Sequence, residues 1–315
     1  MPATGVGSNK DHETYSKQNI GILIAIGAVA ATLAMASFLY ITYLADSIKG
    51  QEIENLQHNS EVKASDVANI VAEQIESVRA NLVLISNANR VQVQDIQGSL
   101  PLFSTAQDLT KEFTFSYFWL DRDGKVLWVT TFSNLTTFQQ YAGFDNSQSS
   151  FYTGPLQTHK FFVSEVILAP DGIRRIIFAN PILDSGDASF KGVVGASSNL
   201  ADAGNLLTDQ LVSTQSNPLL LGIDGTILYS KDQPMIGLNV FDGQFQSSLP
   251  ASVKSDVISF MRRSLDDSIR GATAGGSANF EDLGTDGQTA TLAYHAVMVD
   301  GKAVAILFIV APNTF

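Results

Sequence analysis

Residues 115–132 read FSYFWLDRDGKVLWVTTF, and residues 219–231 read LLLGIDGTILYSK. Each stretch is an apolar run, an Asp-Gly pair (Asp123-Gly124, Asp224-Gly225) and a second apolar run. Asp-Gly between such runs is a strong hairpin signal, because the turn needs positive φ, which glycine adopts without steric cost. The hairpins lie about 100 residues apart, which makes them two copies of one pattern. Each is followed by a long irregular stretch and two more strands. These are Arg174–Leu183 (RRIIFANPIL) and Lys191–Ser198 (KGVVGASS) in the first copy, and Thr289–Val299 (TATLAYHAVMV) and Lys302–Ala311 (KAVAILFIVA) in the second. Gly192 and Gly301 open the final strands, and a helix-like segment, Leu200–Val212, joins the copies before a break at Asn217-Pro218. The expected fold is α+β: two similar modules in tandem, each an antiparallel sheet with helices on a face.

Upstream, residues 45–97 read as one long helix. Val67, Ile70, Val71, Ile75, Val78, Leu82 and Ile85 recur at spacings of three and four and form one apolar stripe. Gly50 and Ser65-Asp66 are weak points, and the polar stretch Gln51–Ser60 starts a stalk. The stripe suits either a helix packed on its own domain or a homodimer seam, and both can hold on different faces.

Further upstream, residues 19–44 (NIGILIAIGAVAATLAMASFLYITYL) carry no charge. That run exceeds the roughly 20 apolar residues that cross a bilayer. A cleaved signal has a shorter run and a small-residue cleavage site, which Phe38, Leu39, Tyr40 and Tyr43 spoil. The run therefore reads as a retained membrane anchor, with Tyr40 and Tyr43 at the interface. Lys10 and Lys17 precede it and Lys49 follows, which puts the N-terminus in the cytoplasm and the large domain outside.

Composition narrows the classes. The chain has no cysteine, so an exported domain must be held by its core rather than by disulfides. Apolar residues are 45% of the chain, enough for one large or two small cores. A net charge of −12 argues against nucleic acid and against anionic lipid as partners.

Several segments together resemble the double Cache (dCache) sensor domain of bacterial and archaeal transmembrane receptors. Gly143-Phe144-Asp145, Ser147 and Phe151-Tyr152 look like that family's G-x-D-x-S-x-R-x-Y-F segment. Phe162-Val163-Ser164, the Asp171-Gly172 turn, Ala179-Asn180-Pro181-Ile182 and Lys191–Gly195 resemble the strands that follow it. The resemblance covers about residues 45–315. It implies PAS-like strand order in both modules and, after the stalk helix (45–97), a membrane-distal module (98–212) and a membrane-proximal module (213–315), while the residues before them read from hydropathy and charge as a cytoplasmic tail (1–18) and a transmembrane helix (19–44). It also implies ligand sensing outside the cell, in the distal module, with a kinase, methyl-accepting or cyclase output inside.

In the amino-acid-binding members, an Arg on the pocket loop holds the ligand carboxylate and an Asp on the last strand holds its ammonium. Those positions fall here on Ser149 and Ser197, so both charged anchors are missing. The first module still offers Tyr117, Trp119, Trp128, Tyr141, Phe151 and Tyr152 as aromatic walls, and Ser164, Asn180 and Ser197 as polar groups. Apolar walls with a few polar groups suit a small-molecule site, although strand aromatics also build cores. Arg174 or Arg175 is an alternative basic anchor or a solvated edge. The loop from Thr136 to Lys160 is long enough to cover a ligand, whereas the second module's Asp232–Glu281 has fewer aromatics and reads as spacer and helix, with Ala274–Ser277 as a loop.

No catalytic or metal residues are expected. His12, His58, His159 and His295 are scattered, and the chain has neither a nucleophile elbow nor a phosphate loop. Asp121–Gly124 is a hairpin turn rather than a calcium loop. No cofactor is expected either. The leading reading is a ligand-sensing receptor region of a chemotaxis or kinase type, part of a longer chain. The alternative is a membrane-anchored surface or adhesion protein.

Overall fold

The computed structural model describes residues 10–130, 141–169, 172–199, 217–284 and 288–312, with side chains from Met35 onward except at 45, 46 and 199. It divides into two units, Met1–Asn55 and Leu56–Phe315. The described part of the first unit is helical and belongs to helix α1 (Lys10–Asn87). Phe38, Leu39, Tyr40, Ile41 and Tyr43 are exposed on it. The side chains of residues 19–34 lie outside the described ones, and among the described residues no helix is long and apolar enough to cross a membrane. The expected span therefore stands on sequence.

In the second unit α1 runs unbroken through Ser65-Asp66 and stops at Asn87, ten residues short of the expected 97. Its end is set by short polar side chains: Ser86 Oγ and Asn87 Nδ2 both donate to the Val83 carbonyl, at 3.0 and 2.9 Å. Such residues compete with the helical ladder for backbone acceptors. A short turn of helix, α2 (Asn89–Gln92), precedes α3 (Ile96–Thr110), whose first turn is capped by Asp95 Oδ1 accepting from the Gly98 amide at 2.9 Å.

The first sheet contains β1 (Ser116–Leu120), β2 (Val126–Val129), β3 (Phe162–Val163), β4 (Ile167–Leu168), β5 (Arg174–Leu183) and β6 (Phe190–Asn199). Its order is β2-β1-β6-β5-β3, with β4 also pairing β5. The second contains β7 (Asn217–Gly222), β8 (Ile227–Ser230), β9 (Gly275–Phe280), β10 (Ala290–Val299) and β11 (Lys302–Pro312), in the order β8-β7-β11-β10-β9. All pairs are antiparallel. The two sheets thus share one plan, and the two Asp-Gly hairpins close with Gly124 at φ 81° and Gly225 at φ 85°. The expected linking helix, Leu200–Val212, lies outside the described residues.

The repeat extends further than the sequence suggested. In the first module Gly143 N donates to Val126 O, Val126 N to Phe144 O, and Asn146 N to Gly124 O. In the second, Gly237 N donates to Ile227 O, Ile227 N to Leu238 O, and Val240 N to Gly225 O. Gly143-Phe144-Asp145 and Gly237-Leu238-Asn239 are therefore the same backbone clasp on the two hairpins. Asp145 and Asn239 play matching parts, each accepting the amide two residues on. The Ser147 amide holds the Asp145 carboxyl below its ordinary range.

One core joins α1 to both sheets. Val67, Val71, Ile75, Val78, Leu82 and Ile85 are buried with Tyr117, Phe178 and Val194 of the first sheet and Leu220, Val297 and Leu307 of the second. The apolar stripe is thus consumed inside its own chain. One expectation is corrected: Gly275-Gly276 begin strand β9 rather than a loop. A Cβ at Gly275 would lie 2.8 Å from His295 Cδ2 and 2.9 Å from Tyr294 O, so the glycines there allow close strand approach.

Gly192 sits at φ 146°, where a Cβ would come within 2.2 Å of the Leu120 carbonyl oxygen. Gly192→Ala should cost about 2 kcal/mol or more through backbone strain. Gly243→Ala, which meets open space at ordinary φ, should be near neutral. Urea unfolding midpoints compare the two, and equal midpoints would show that the β6 backbone is not constrained at Gly192.

Candidate functional site

Alternation along the strands assigns every residue of the first sheet to one of two faces. Tyr117, Trp119, Phe178 and Val194 point into the core shared with α1, where Trp128 also packs. Phe118, Leu120, Ile177, Ala179 and Val193 point to the opposite face, which is covered by the helix Ser150–Thr158 through Phe151 and Tyr152, with Tyr141 packed beside them. The residues expected to converge are therefore split by the sheet itself.

On the α1 side, Tyr117, Trp119 and Asn180 do structural work. The Tyr117 hydroxyl lies 3.0 Å from Thr110 Oγ1, itself 2.8 Å from Thr114 Oγ1. Trp119 stacks on Phe103 with centroids 6.1 Å apart. Asn180 Nδ2 donates to Ser86 Oγ at 3.0 Å and pins the sheet to the end of α1. On the opposite face, Tyr152 donates its hydroxyl to the Arg122 carbonyl and meets Phe190 edge-on, which fastens the covering helix to the β1–β2 turn. Burial, then the nearby Asp123 and Asp121, push the Tyr152 phenol up. Phe151 meets Phe118 edge-on at 5.7 Å. Ser164 Oγ accepts from the Ile177 amide and donates to the Glu165 carbonyl, so it closes the β3–β5 junction.

Ser197 is differently placed. Its hydroxyl is 2.7 Å from Ser116 Oγ, on the covered face beside Ile177. Arg175 lies one alternate position beyond Ile177 and is 7% exposed, with its guanidinium 4.3 Å from the Phe115 ring centroid. Arg174, by contrast, is exposed. Of the two arginines named from sequence, Arg175 is the one on this face. Ser116 and Phe115 were missed, although strand alternation from Phe118 would have put Ser116 opposite the last strand.

Equivalent positions in the second module show what is special here. Gly195 pairs with Phe118 and Ala179, and Ser197 with Ser116 and Ile177. The matching residues in β11 are Phe308, paired with Leu219 and Tyr294, and Val310, paired with Asn217 and Leu292. Tyr294 and Phe308 join Phe260 and Phe280 in an aromatic cluster that fills that face under the helix Lys254–Ile269. Where the second sheet carries Phe308, Tyr294 and Val310, the first carries Gly195, Ala179 and Ser197.

No protein-family model and no curated protein matches the chain in sequence. Solved structures match in fold. The periplasmic sensory domain of the Campylobacter jejuni chemoreceptor Tlp1 aligns at TM-score 0.60 and 14% identity, over 83% of this chain and 96% of that one. The ligand-binding domain of the Pseudomonas fluorescens chemoreceptor CtaA, in complex with L-isoleucine, aligns at 0.55 and 14%, over 85% and 95%. An extracellular ligand binding receptor from Desulfohalobium retbaense DSM5692 aligns at 0.57 and 14%, over 80% of this chain but 40% of that one. The chain has the two-module fold of these extracytoplasmic sensor domains.

Burial pushes the Tyr117 phenol up to about 12, against the pull of the Thr110, Asn81 and Thr114 hydrogen bonds. A phenol raised in the folded state favours its protonated form there. Its contribution is complete below the unfolded value of about 10 and is lost as pH rises from there through about 12. Absorbance titration should find one tyrosine ionising near pH 12. Tyr117→Phe should flatten the stability loss across that window, at a cost of about 1 kcal/mol at neutral pH. An unchanged alkaline slope would locate the sensitivity elsewhere.

Proposed function

We propose that this chain is the extracytoplasmic ligand-sensing region of a transmembrane signalling receptor, without enzymatic activity, and that a small molecule binds the first module. The α1-distal face of the first sheet carries the proposal. It carries the Ser116–Ser197 hydroxyl pair and, beside it, the buried Arg175, where the second module pairs Asn217 with Val310 under an aromatic cluster. Phe151 and Tyr141 form the apolar wall and Tyr152 holds it in place. The working boundaries are those expected from sequence: anchor 19–44, distal module 98–212, proximal module 213–315.

The bound isoleucine of CtaA suggests amino-acid-like ligands, but this chain lacks the paired charges for a free α-amino acid. Ser149 precedes the helix Ser150–Thr158 as its cap residue, and Ser197 is bonded to Ser116. The ligand is therefore neutral, or an anion aided by Arg175. Ser197→Val copies the second module's Val310, so the sheet should tolerate it while the site fills. In a thermal-shift screen of the detergent-solubilised chain, a true ligand at 100 times its dissociation constant adds about 2.7 kcal/mol. Ser197→Val should remove that shift and Val310→Ser should leave it. The reverse result would place the site in the second module.

The anchor and homodimer belong to the same proposal. With the stripe buried, the surface left on α1 is polar at Asp66, Asn69, Glu73 and Ser77 but apolar at Ala80 and Leu84, the latter 61% exposed. A shallow groove lies there beside Val83 and Ala88. This end of α1 is the proposed seam. The chain is free of cysteine, so Leu84→Cys gives one thiol. It should react with an impermeant maleimide on intact cells and, on oxidation, link two chains. Protection from the reagent argues against the topology, and labelling without linkage against the seam.

A further inference from the structure

A cleft of about 430 Å³ opens between the two modules, remote in character from the apolar-walled face described above. Its charged lining is Arg79 of α1, Lys160 after the helix Ser150–Thr158, and Asp300 and Lys302 at the β10–β11 turn. Its floor includes Asn180 and Val304. The balance is unexpected in a chain with 31 acidic and 19 basic residues, since bases outnumber acids around this one cleft.

The three cations come from three separate elements. Arg79 is held by Glu76, which accepts from its Nε at 2.8 and 3.0 Å and from Nη2, and this fixes the guanidinium plane. The Glu76 hydrogen bonds raise the Arg79 pKa above its ordinary value, so the charge is permanent. Lys302 follows a tight turn in which Asp300 and Gly301 both take positive φ, 52° and 71°, which sets where β11 begins. Among the described residues, neither the Lys160 nor the Lys302 ammonium is paired with a carboxylate. With Arg79 offset by Glu76 and Asp300 opposing one lysine, the Lys160 and Lys302 ammonium groups leave this partly apolar cavity modestly positive. The volume lies within the range of small-molecule sites.

We propose that this inter-module cleft binds a small organic polyanion, whose acidic groups are shared between Lys160 of the first module, Lys302 of the second and Arg79 of the helix that backs both. The site is separate from the sensing face and does not depend on that assignment. A ligand bridging the cleft would couple the two modules.

The probe is citrate, titrated by calorimetry and thermal shift into the full detergent-solubilised chain at constant ionic strength. Citrate should bind saturably and raise the melting temperature. Lys160→Gln with Lys302→Gln, both at exposed positions, should weaken binding at least tenfold with the unliganded melting temperature kept. Ser197→Val should leave citrate binding unchanged. Three results would overturn the proposal: a shift matched by sodium chloride, binding that survives the double lysine change, or binding lost in Ser197→Val. Inorganic phosphate, which has one acidic group to share where citrate has three, should bind more weakly, and equal affinity for phosphate would reject the bridging geometry.

Discussion

The apolar stripe of α1 is the constraint on which the remainder of the second unit rests. A sheet of this size cannot stand alone in water with an apolar face exposed, and both sheets satisfy that need on the same helix. Val67 through Ile85 are spent in this way, so truncating a residue such as Leu82 would open a cavity between helix and sheet, at about 2–5 kcal/mol. Because the stripe backs both sheets, each has one face committed to structure and only the opposite face free to vary. Any difference in what the modules do must be written there.

It is written in side-chain volume. The two sheets share strand order, hairpin turns and the backbone clasp, and in both the first strand of the hairpin shows a register irregularity near its end, at Trp119/Leu120 and Leu220/Leu221. Against this common frame, Phe308 and Tyr294 close one outer face with their own rings, while in the other Gly195 and Ala179 make room for the Phe118 ring, whose Cζ lies 2.2 Å from where a Gly195 Cβ would be, and for Phe151 above it. Aromatic pairs such as Tyr294–Phe308 and Phe260–Phe280 add specific ring contacts to area burial, which favours a set, well-packed module. The first module instead keeps hydroxyls and a buried guanidinium on that face, groups that are retained at a cost unless they are bonded.

Much of this was legible in the residues. Asp123-Gly124 and Asp224-Gly225 marked the hairpins because the turn conformation itself demands them, and β5 spans the ten residues from Arg174 to Leu183 that the apolar run delimited. The end of α1 was not legible, because it depends on Ser86 and Asn87 reaching back to one carbonyl, a contact that periodicity does not encode. Strand β9 was hidden because Gly275-Gly276 has the composition of a loop, and only the partner strand supplies the reason for glycine. The candidate site was half legible. Aromatic richness pointed to the first module, but neighbours such as Tyr117 and Phe118 face opposite sides, and no composition count separates them. Tyr152 looked like a wall and serves as a fastener, because its hydroxyl finds a backbone carbonyl that lies 30 residues away in sequence.

The clasp has a further effect at the borders of the sheets. Strands β2 and β8 are terminal in their sheets, and a terminal strand presents bare amides and carbonyls on which another chain can pair. In each module the clasp lays its own backbone along that border, with Val126 and Ile227 each both giving and receiving a hydrogen bond. The first rung that a foreign strand would need is already taken. The chain thereby guards both hairpin borders against lateral aggregation by intramolecular means, with a glycine at positive φ turning the loop back at each site, Gly143 and Gly237.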